Sequence, residues 1–370
     1  IRDSKYFLLL GFQVPGTALE IYQHSEVFRR HMGNLDLIVV TYNNILRTLL
    51  PVERPLVGKR LQEIDAMLQK AIHSLNWNSH KINDYIQEVM SAVKELNHIL
   101  ETIKGNVEKT RELLAEWSTN VMFQRKEGKT YEVTEFAEQQ KTLQETRDKA
   151  IAEAGAKIAK LLSASNKIIA VPRASHAWRE YTEYVNEIVV DGFSDAILAS
   201  VAELTEQVDP ALVAANETAP LIEVSLELVA PDIRWSPEVG ESGDSAHPGT
   251  RDYFNGWIGG FTAIGTLVKR LDIGEGTYAL ELEEDFRILD GVSQIQSVVL
   301  ANEAECAAFK ASFTQYEYLW REDLQQTLAD FIEANGEDGE DPPLEMFDAE
   351  IAKYKKVQEA IAQLQATRVV

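Results

Sequence analysis

The strongest pattern in the sequence is a stripe of apolar residues between residues 82 and 117. Its members follow one another at alternating intervals of four and three residues, with Thr110 as a polar interruption. This heptad spacing places them on one side of an α-helix. The stripe predicts a helix over residues 79–118, about 60 Å long at ~1.5 Å per residue. The stripe consists of Ile82, Ile86, Val89, Val93, Leu96, Leu100, Ile103, Val107, Leu114 and Trp117.

Other stretches repeat with the same helical period. Dense apolar residues stop at Pro51, and a new helix is expected to begin near Pro55. Proline suits a first helical turn because its missing N–H would have no partner there. Further helices are expected around residues 135–169, 175–193, 251–271 and 286–334.

One stretch departs from the helical period. The sequence "PLIEVSLELVAPDIRWSP" (220–237) contains β-branched residues between flanking prolines, which favours a short β-hairpin. The following residues, 238–250, are rich in Gly, Ser and Asp, a composition typical of a mobile loop.

Together these elements predict an all-α fold, an elongated array of antiparallel helical bundles with one short β-hairpin near residues 220–237. The predicted division is an N-terminal helical piece (1–34), a helical bundle (35–118) containing the long helix 79–118, a second bundle (119–219), the β-hairpin and mobile loop (220–250), a third bundle (251–334), an acidic linker (335–343) and the start of another helix (344–370).

Several tryptophans stand where the predicted helices begin, end or turn. Trp77 lies between Asn76 and Asn78, at a corner between two helices. A platform for stacking nucleic acid bases needs basic neighbours, and these are scarce here. A tryptophan that buries about 200 Å² at a joint between helices is the better interpretation. We therefore predict that the helix corners are anchored by Trp77, Trp117, Trp178, Trp320, Pro51 and Pro55.

Composition narrows the class of protein. Apolar residues make up 45% and charged residues 26%, as in soluble proteins that bury substantial cores. The single cysteine, Cys306, excludes a disulfide framework and fits a reducing compartment. No stretch approaches the ~18 apolar residues of a membrane span. Because the chain opens on Ile1 rather than Met, we expect it to be an excised piece of a longer protein.

The net charge of −23 is unevenly distributed along the chain. Residues 1–120 hold 14 Lys and Arg against 14 Asp and Glu, so the acidic excess lies after residue 120. An acidic surface repels nucleic acid and anionic lipid. The expected partners are therefore proteins, not nucleic acid or a membrane.

No stretch carries a complete pattern for a cofactor, metal or catalytic site. "KEGKT" (126–130) ends like a phosphate-binding loop, but Phe123 stands where the first glycine is required. Residues 272–283 begin and end like a calcium loop, but Gly274 and Gly276 offer no side-chain oxygen. The histidines lack neighbouring ligands at zinc spacing. We predict no catalytic residue, cofactor or metal, and we do not expect a small-molecule ligand.

A further set of blocks runs in order along nearly the whole chain. The first is "YNNILRTLLPVERPLVGKRLQEIDAMLQKAIHSLNWNS" (42–79), and later ones include "FQRKEGKT", "AWREYTEYVNEIVVDGF" and "AECAAFKASFTQYEYLWREDLQQTLADF". In these blocks the sequence resembles the N-terminal tail of dynein heavy chains, especially the axonemal ones. The matching positions of the first block are Tyr42-Asn43, Glu53-Arg54-Pro55-Leu56, Asp65 and Leu75-Asn76-Trp77-Asn78-Ser79.

The resemblance implies a structural and mechanical tail segment that spaces and links a microtubule motor to its anchored tail in ciliary motility. Its location would be the cytoplasm and cytoskeleton, in the axoneme of a cilium or flagellum. The full-length chains of that family are ATP-hydrolysing motors, and the resemblance implies that the motor lies outside this segment. The implied partners are intermediate or light chains and neighbouring heavy chains. A helical enzyme or ligand-binding domain with an unrecognised site is the alternative hypothesis.

The corner at Trp77 leads to a first test. Replacing Trp77 with Ala should lower the free energy of unfolding by ~3–5 kcal/mol, as for other buried large-to-small changes. Chemical denaturation measures this loss. A loss below ~1 kcal/mol would mean that the indole is not buried, and would favour the ligand platform instead.

Overall fold

The computed structural model describes residues 2–74, 81–125, 132–209, 211–212, 221–229, 231–244, 246–271, 276–321, 323–336, 341–362 and 367–369. Helices dominate these residues, so the predicted all-α class with a short β-hairpin is confirmed. The helices are α1 (Arg2–Leu9), α2 (Gly16–Gln23), α3 (Ser25–Thr48), α4 (Arg54–Ser74), α5 (Ile82–Thr119), α6 (Val133–Ile169), α7 (His176–Val208), α8 (Thr250–Thr262), α9 (Ala279–Glu283), α10 (Phe286–Ser312), α11 (Tyr318–Arg321), α12 (Leu324–Asn335) and α13 (Leu344–Ala362). The strands are β1 (Glu223–Val229), β2 (Asp232–Ser236) and β3 (Thr367–Val369).

Some predictions fall on parts of the chain outside the described residues. Among them are the predicted anchor Trp77, the phosphate-loop-like stretch 126–130, the start of the calcium-like stretch at 272–275 and positions 337–340 of the acidic linker.

The long helix predicted over 79–118 is α5, which runs from Ile82 to Thr119. Between Ile86 and Trp117 every residue of the predicted stripe is buried, and none is more than 8% exposed. Thr110, which interrupts the stripe, is buried as well, and its hydroxyl donates to the Asn106 carbonyl at 2.9 Å. Because that hydroxyl has its partner inside the helix, the polar position does not interrupt the core.

The chain forms two compact units, each assembled from three separate stretches. Unit 1 consists of Ile1–Leu114, Glu153–Val189 and Lys269–Gly276, and unit 2 of Ala115–Ala152, Val190–Val268 and Thr277–Val370. The seven-part division stated above stays a prediction.

The third stretch of unit 1 is joined to α7 by a side-chain amide. Buried Asn186 donates through Nδ2 to the Leu271 carbonyl at 3.1 Å and accepts the Leu271 N–H through Oδ1 at 3.0 Å. Next to it, a guanidinium nitrogen of Arg270 lies 2.5 Å from a carboxylate oxygen of Glu183 on the same helix. Both backbone groups of buried Leu271 are thereby satisfied, which holds this stretch against α7.

An aromatic cluster forms part of the core of unit 2. The ring of Phe123, which is fully buried, lies 5.8 Å from that of Phe136, 5.4 Å from that of Trp257 and 6.5 Å from that of Phe261, all edge to face. Such pairs add about 0.5–1.5 kcal/mol each beyond the area they bury. They hold the segment that follows α5 against α6 and α8.

A small sheet lies in unit 2 with strand order β2-β1-β3. Strands β1 and β2 form the predicted hairpin, in which Leu226 faces Trp235. Strand β3 pairs with the other side of β1, with Thr367 facing Ser225. The sequence predicted only a helix from residue 344 onward, and the chain instead forms α13 and then β3. The paired residues of β1 and β3 lie more than 140 positions apart in the chain, so no local pattern indicates their contact.

The single helix predicted over residues 286–334 is wrong. Helix α10 ends at Ser312, a 3₁₀ turn follows at Thr314–Tyr316, and α11 and α12 come after it as separate helices. The carboxylate of Asp323 accepts the Gln325 N–H at 2.9 Å and so caps the start of α12. A side chain that satisfies a free N–H at this position favours a new helix start.

The spacing of apolar residues does not indicate this helix break, because aromatic residues continue through it at similar intervals. The ring of Phe313 lies 5.2 Å from that of Phe309 and 6.3 Å from that of Tyr316. These apolar side chains keep helix-like intervals although the backbone between them leaves the α-helix.

Candidate structural joints

Two of the predicted tryptophan anchors lie buried at helix ends. Trp117, near the end of α5, is 8% exposed, and its ring centroid lies 4.9 Å from that of Phe193. Trp178, in the first turn of α7, is 4% exposed and lies 5.6 Å from the ring of Tyr181. Both positions are those at which a large apolar side chain holds a helix end, as we propose for them.

The remaining described anchors are less buried. Trp320 in α11 is half-buried, although its indole Nε1 is out of contact with water and has no hydrogen-bond partner among the described residues. Pro51 is exposed in the turn between α3 and α4, and Pro55 is the exposed second residue of α4. Any effect of the two prolines therefore comes from their backbone rather than from packing of their rings.

The turn between α3 and α4 contains a buried glutamate for which the sequence predicts no role. Glu53 is 2% exposed, and its carboxylate accepts the Leu50 N–H at 2.9 Å. In return the Glu53 N–H donates to the Leu50 carbonyl at 3.1 Å. A glutamate that bonds back to the N–H three residues earlier is half of a capping box. That spacing is the sequence signal that points to Glu53.

A lysine of α5 completes the arrangement around this glutamate. Lys104 Nζ lies 3.9 Å from Glu53 Oε2 and donates at 2.5 Å to the carbonyl of Thr48, the last residue of α3. One ammonium group thus compensates the buried carboxylate and satisfies a carbonyl at the helix end. We call Thr48, Leu50, Glu53 and Lys104 the Glu53 joint, since they tie the end of α3, the start of α4 and the middle of α5 together.

Two buried tyrosines lie in unit 1, and one of them, Tyr181, interacts with the Glu53 joint. The Tyr42 hydroxyl of α3 donates to Asp65 Oδ1 of α4 at 2.6 Å, and burial raises the pKa of Tyr42. Burial likewise raises the pKa of Tyr181 on α7, and the negative charge of Glu53 raises it further. Both phenols therefore stay neutral at physiological pH, and the Tyr42 hydroxyl serves as a hydrogen-bond donor between α3 and α4.

Unit 2 has its own polar connection at the start of α10. Asp285 is the N-cap residue and accepts the Arg287 N–H at 2.9 Å. Its other oxygen accepts the hydroxyl of Ser194 on α7 at 2.7 Å. The Arg287 guanidinium beside it lowers the pKa of Asp285 to about 2. The carboxylate is therefore charged at neutral pH and connects α10 to α7.

The loop at 238–250, predicted to be mobile, is bonded to two side chains in the first turn of α8. Asp252 accepts the N–H groups of Ser242 and Gly249 at 3.0 and 2.9 Å, and these bonds lower its pKa. Thr250 Oγ1 accepts the Gly240 N–H at 3.0 Å. Side chains of α8 thus accept the backbone N–H groups of the loop and tie it to the start of the helix. The mobility of the loop stays a prediction.

The described residues contain no group of three or more His, Cys, Asp or Glu side chains placed to hold a metal ion. Cys306 is buried on α10 and behaves as a small apolar side chain. No described helix is at once long enough and apolar enough to cross a membrane.

Comparison with known proteins finds relatives over the whole chain. The family profile described as "Dynein heavy chain, N-terminal region 1" matches residues 1–85. The chain is 45% identical to the dynein beta chain of the flagellar outer arm of Chlamydomonas reinhardtii, with 99% of this chain and 9% of that protein aligned. It is 30% identical to the ciliary dynein beta chain of Heliocidaris crassispina and 29% identical to dynein axonemal heavy chain 17 of Mus musculus. Each of these two alignments covers 100% of this chain and 8% of the relative. The chain therefore spans less than a tenth of the length of these relatives.

Replacing Glu53 with Gln should change how stability depends on pH. Burial raises the pKa of Glu53 from its ordinary 4.5, and the bonds to Leu50 and Lys104 offset only part of that rise. A carboxyl group with a higher pKa in the folded state binds more protons when folded. Its contribution to stability therefore falls as pH rises from about 4.5 through the folded pKa.

Chemical denaturation of both proteins from about pH 4 to about pH 7 measures this effect. The unfolding free energy of the parent minus that of Glu53→Gln should decrease with rising pH. Glu63→Gln, at an exposed position of α4, is the matched control for the loss of one glutamate charge. A flat or rising difference for Glu53→Gln would contradict the assignment.

Proposed function

Because the chain belongs to the dynein heavy chain family, we propose that it is a structural and mechanical segment in the tail of an axonemal heavy chain. It spaces the microtubule motor from the anchored tail and carries force between them. Relatives named as flagellar outer-arm and ciliary chains support a location in the axoneme of a cilium or flagellum. ATP hydrolysis, which we assign to other parts of the heavy chain, lies outside this role.

The observation that carries this proposal is the burial of α5. This helix has 38 residues, and its apolar side is packed from Ile86 to Trp117. Bending it would open contacts in a close-packed interior and leave small voids, which costs free energy along the whole stripe. A helix packed in this way resists bending, as a segment that transmits force must.

The Glu53 joint supports the same role. Removing one member of a buried charged pair leaves the other uncompensated and costs about 3–5 kcal/mol when the pair is fully buried. Glu53 is buried and Lys104 is about one-third exposed, so the cost here lies below that range. The joint still opposes any motion that separates α3, α4 and α5, and it fixes the angle at which these helices meet.

We also propose that the segment binds protein partners, namely intermediate or light chains or neighbouring heavy chains. Large apolar side chains are exposed on α1 and just after it, among them Leu9 at 70%, Leu10 at 68% and Phe12 at 60%. Soluble monomers rarely expose so many neighbouring apolar groups, and such patches commonly mark protein contacts.

Small-angle scattering across a concentration series tests the predicted elongated array. A compact chain of this length would have a radius of gyration near ~21 Å. We expect a monomer with a clearly larger value and a rod-like distance distribution. A compact monomer would count against a spacer and favour the alternative of a ligand-binding domain.

A second experiment separates the mechanical role from catalysis. The heavy chain carrying Glu53→Ala and Lys104→Ala together should slide microtubules more slowly for each ATP hydrolysed, because force is lost in a softened joint. Its rate of ATP hydrolysis should stay at the parental level. Sliding velocity and hydrolysis are measured on the same purified dynein.

The matched control is the double variant Lys59→Ala and Glu63→Ala. This exposed pair lies on α4 at 4.0 Å and is expected to contribute little. If the Glu53 joint variant lowers ATP hydrolysis and sliding in proportion, the segment acts on the motor's chemistry and the mechanical proposal is wrong.

A further inference from the structure

A groove of about 660 Å³ runs beside the hairpin in unit 2, within the ~300–1,000 Å³ of typical binding pockets. Its lining includes three consecutive residues of β2, Asp232, Ile233 and Arg234. Successive side chains of a strand point to opposite faces of the sheet. A groove in contact with all three therefore follows the backbone edge of the strand.

This edge is the outer edge of the sheet. Strand β2 is terminal in the order β2-β1-β3, and its five residues pair with β1 on one side only. Half of the N–H and C=O groups of an edge strand point away from the sheet, where they form a template for another strand. Among the described residues no other strand pairs with this side of β2.

The opposite wall of the groove is the last part of α10. Ala307, Lys310 and Ala311 line it, at spacings that place them on one side of the helix. The two alanines are exposed, and their small side chains leave room between the helix and the strand edge. The ring of Trp235 lies 6.1 Å from that of Phe309 and holds the sheet at a fixed distance from α10.

The charges around the groove distinguish it from the rest of this acidic chain. Among the described residues, three acidic and three basic side chains line it and balance one another: Asp232, Glu238, Glu317, Arg234, Lys310 and Arg321. Arg321 also bonds to Asp232 at 3.0 Å. Since the chain carries a net charge of −23, a neutral groove is a place where an uncharged segment meets no strong field.

We propose that this groove binds an extended, uncharged segment of a partner protein, which adds to the sheet as a further strand along β2. Its backbone pairs with the outer groups of Asp232–Ser236, and alternate side chains point toward Ala307 and Ala311. A peptide held between a strand edge and a helix is an established mode of recognition. The inference rests on the proposed function, since it takes the partner from the dynein complex.

Hydrogen exchange of the β2 amides tests the proposal. Exchange of residues 232–236 is compared between the purified 370-residue chain and the complete axonemal dynein complex that contains it. We expect exchange at least about tenfold slower in the complex, because a paired strand protects the outer amides.

Filling the groove is the decisive variant. Ala307→Arg together with Ala311→Arg occupies the space with long side chains at exposed positions, so the fold is kept. The complex carrying this double variant should lose the tenfold protection. Ala304→Arg with Ala308→Arg, at exposed positions of the same helix outside the groove lining, is the matched control and should keep it.

Three outcomes would overturn the proposal. The first is equally fast exchange of the β2 amides in both samples, and the second is protection that survives the filled groove. The third is protection that appears in the purified chain as its concentration rises, which would make the occupant a second copy. These outcomes leave the proposed function intact, since the ratio of sliding to hydrolysis tests it separately.

Discussion

The apolar stripe of α5 is the constraint on which the rest of the structure depends. This helix of 38 residues has one continuous apolar side. That side is removed from water only where other helices pack along it. Their packing, rather than helix propensity alone, stabilises such a long helix. The stripe therefore requires neighbours over its full length, and buried residues of α3, α4, α6 and α7 supply apolar surface in the same chain.

Polar side chains act where the packed helices end, because free backbone groups there need partners. Glu53 bonds to the backbone of the turn after α3. Asp285 does so at the start of α10, and Asp252 does so at the start of α8. Each accepts a backbone N–H, and Glu53 and Asp285 also reach another helix. Apolar stripes determine which faces meet, and these carboxylates fix where each helix begins and the angle at which it leaves.

Local sequence patterns predicted individual helices and the β-hairpin. They did not predict contacts between residues that lie far apart in the chain. Helix α5 could be predicted because its period repeats over many turns, and the hairpin because β-branched residues lie between prolines. Strand β3 pairs with residues more than 140 positions earlier, and nothing near Thr367 indicates that partner. Of the joints, Trp117 and Trp178 were visible as large apolar residues at helix ends. Glu53 was not singled out, because Leu50 stands three positions earlier where a capping Ser or Thr would complete the motif, and its ammonium partner lies on another helix.

The hydrogen bonds between Asn186 and Leu271 bear on how the chain is made. They belong to unit 1, whose first stretch ends at Leu114, so more than 150 residues must be synthesised before its last stretch exists. At the usual ~5–20 residues per second, that interval lasts roughly 8–30 s. Asn186 itself is synthesised about halfway through this interval, and 85 residues separate it from Leu271. The ribosome-bound helices of unit 1 therefore wait for Leu271 during the second half of the interval, with the core around it unfinished.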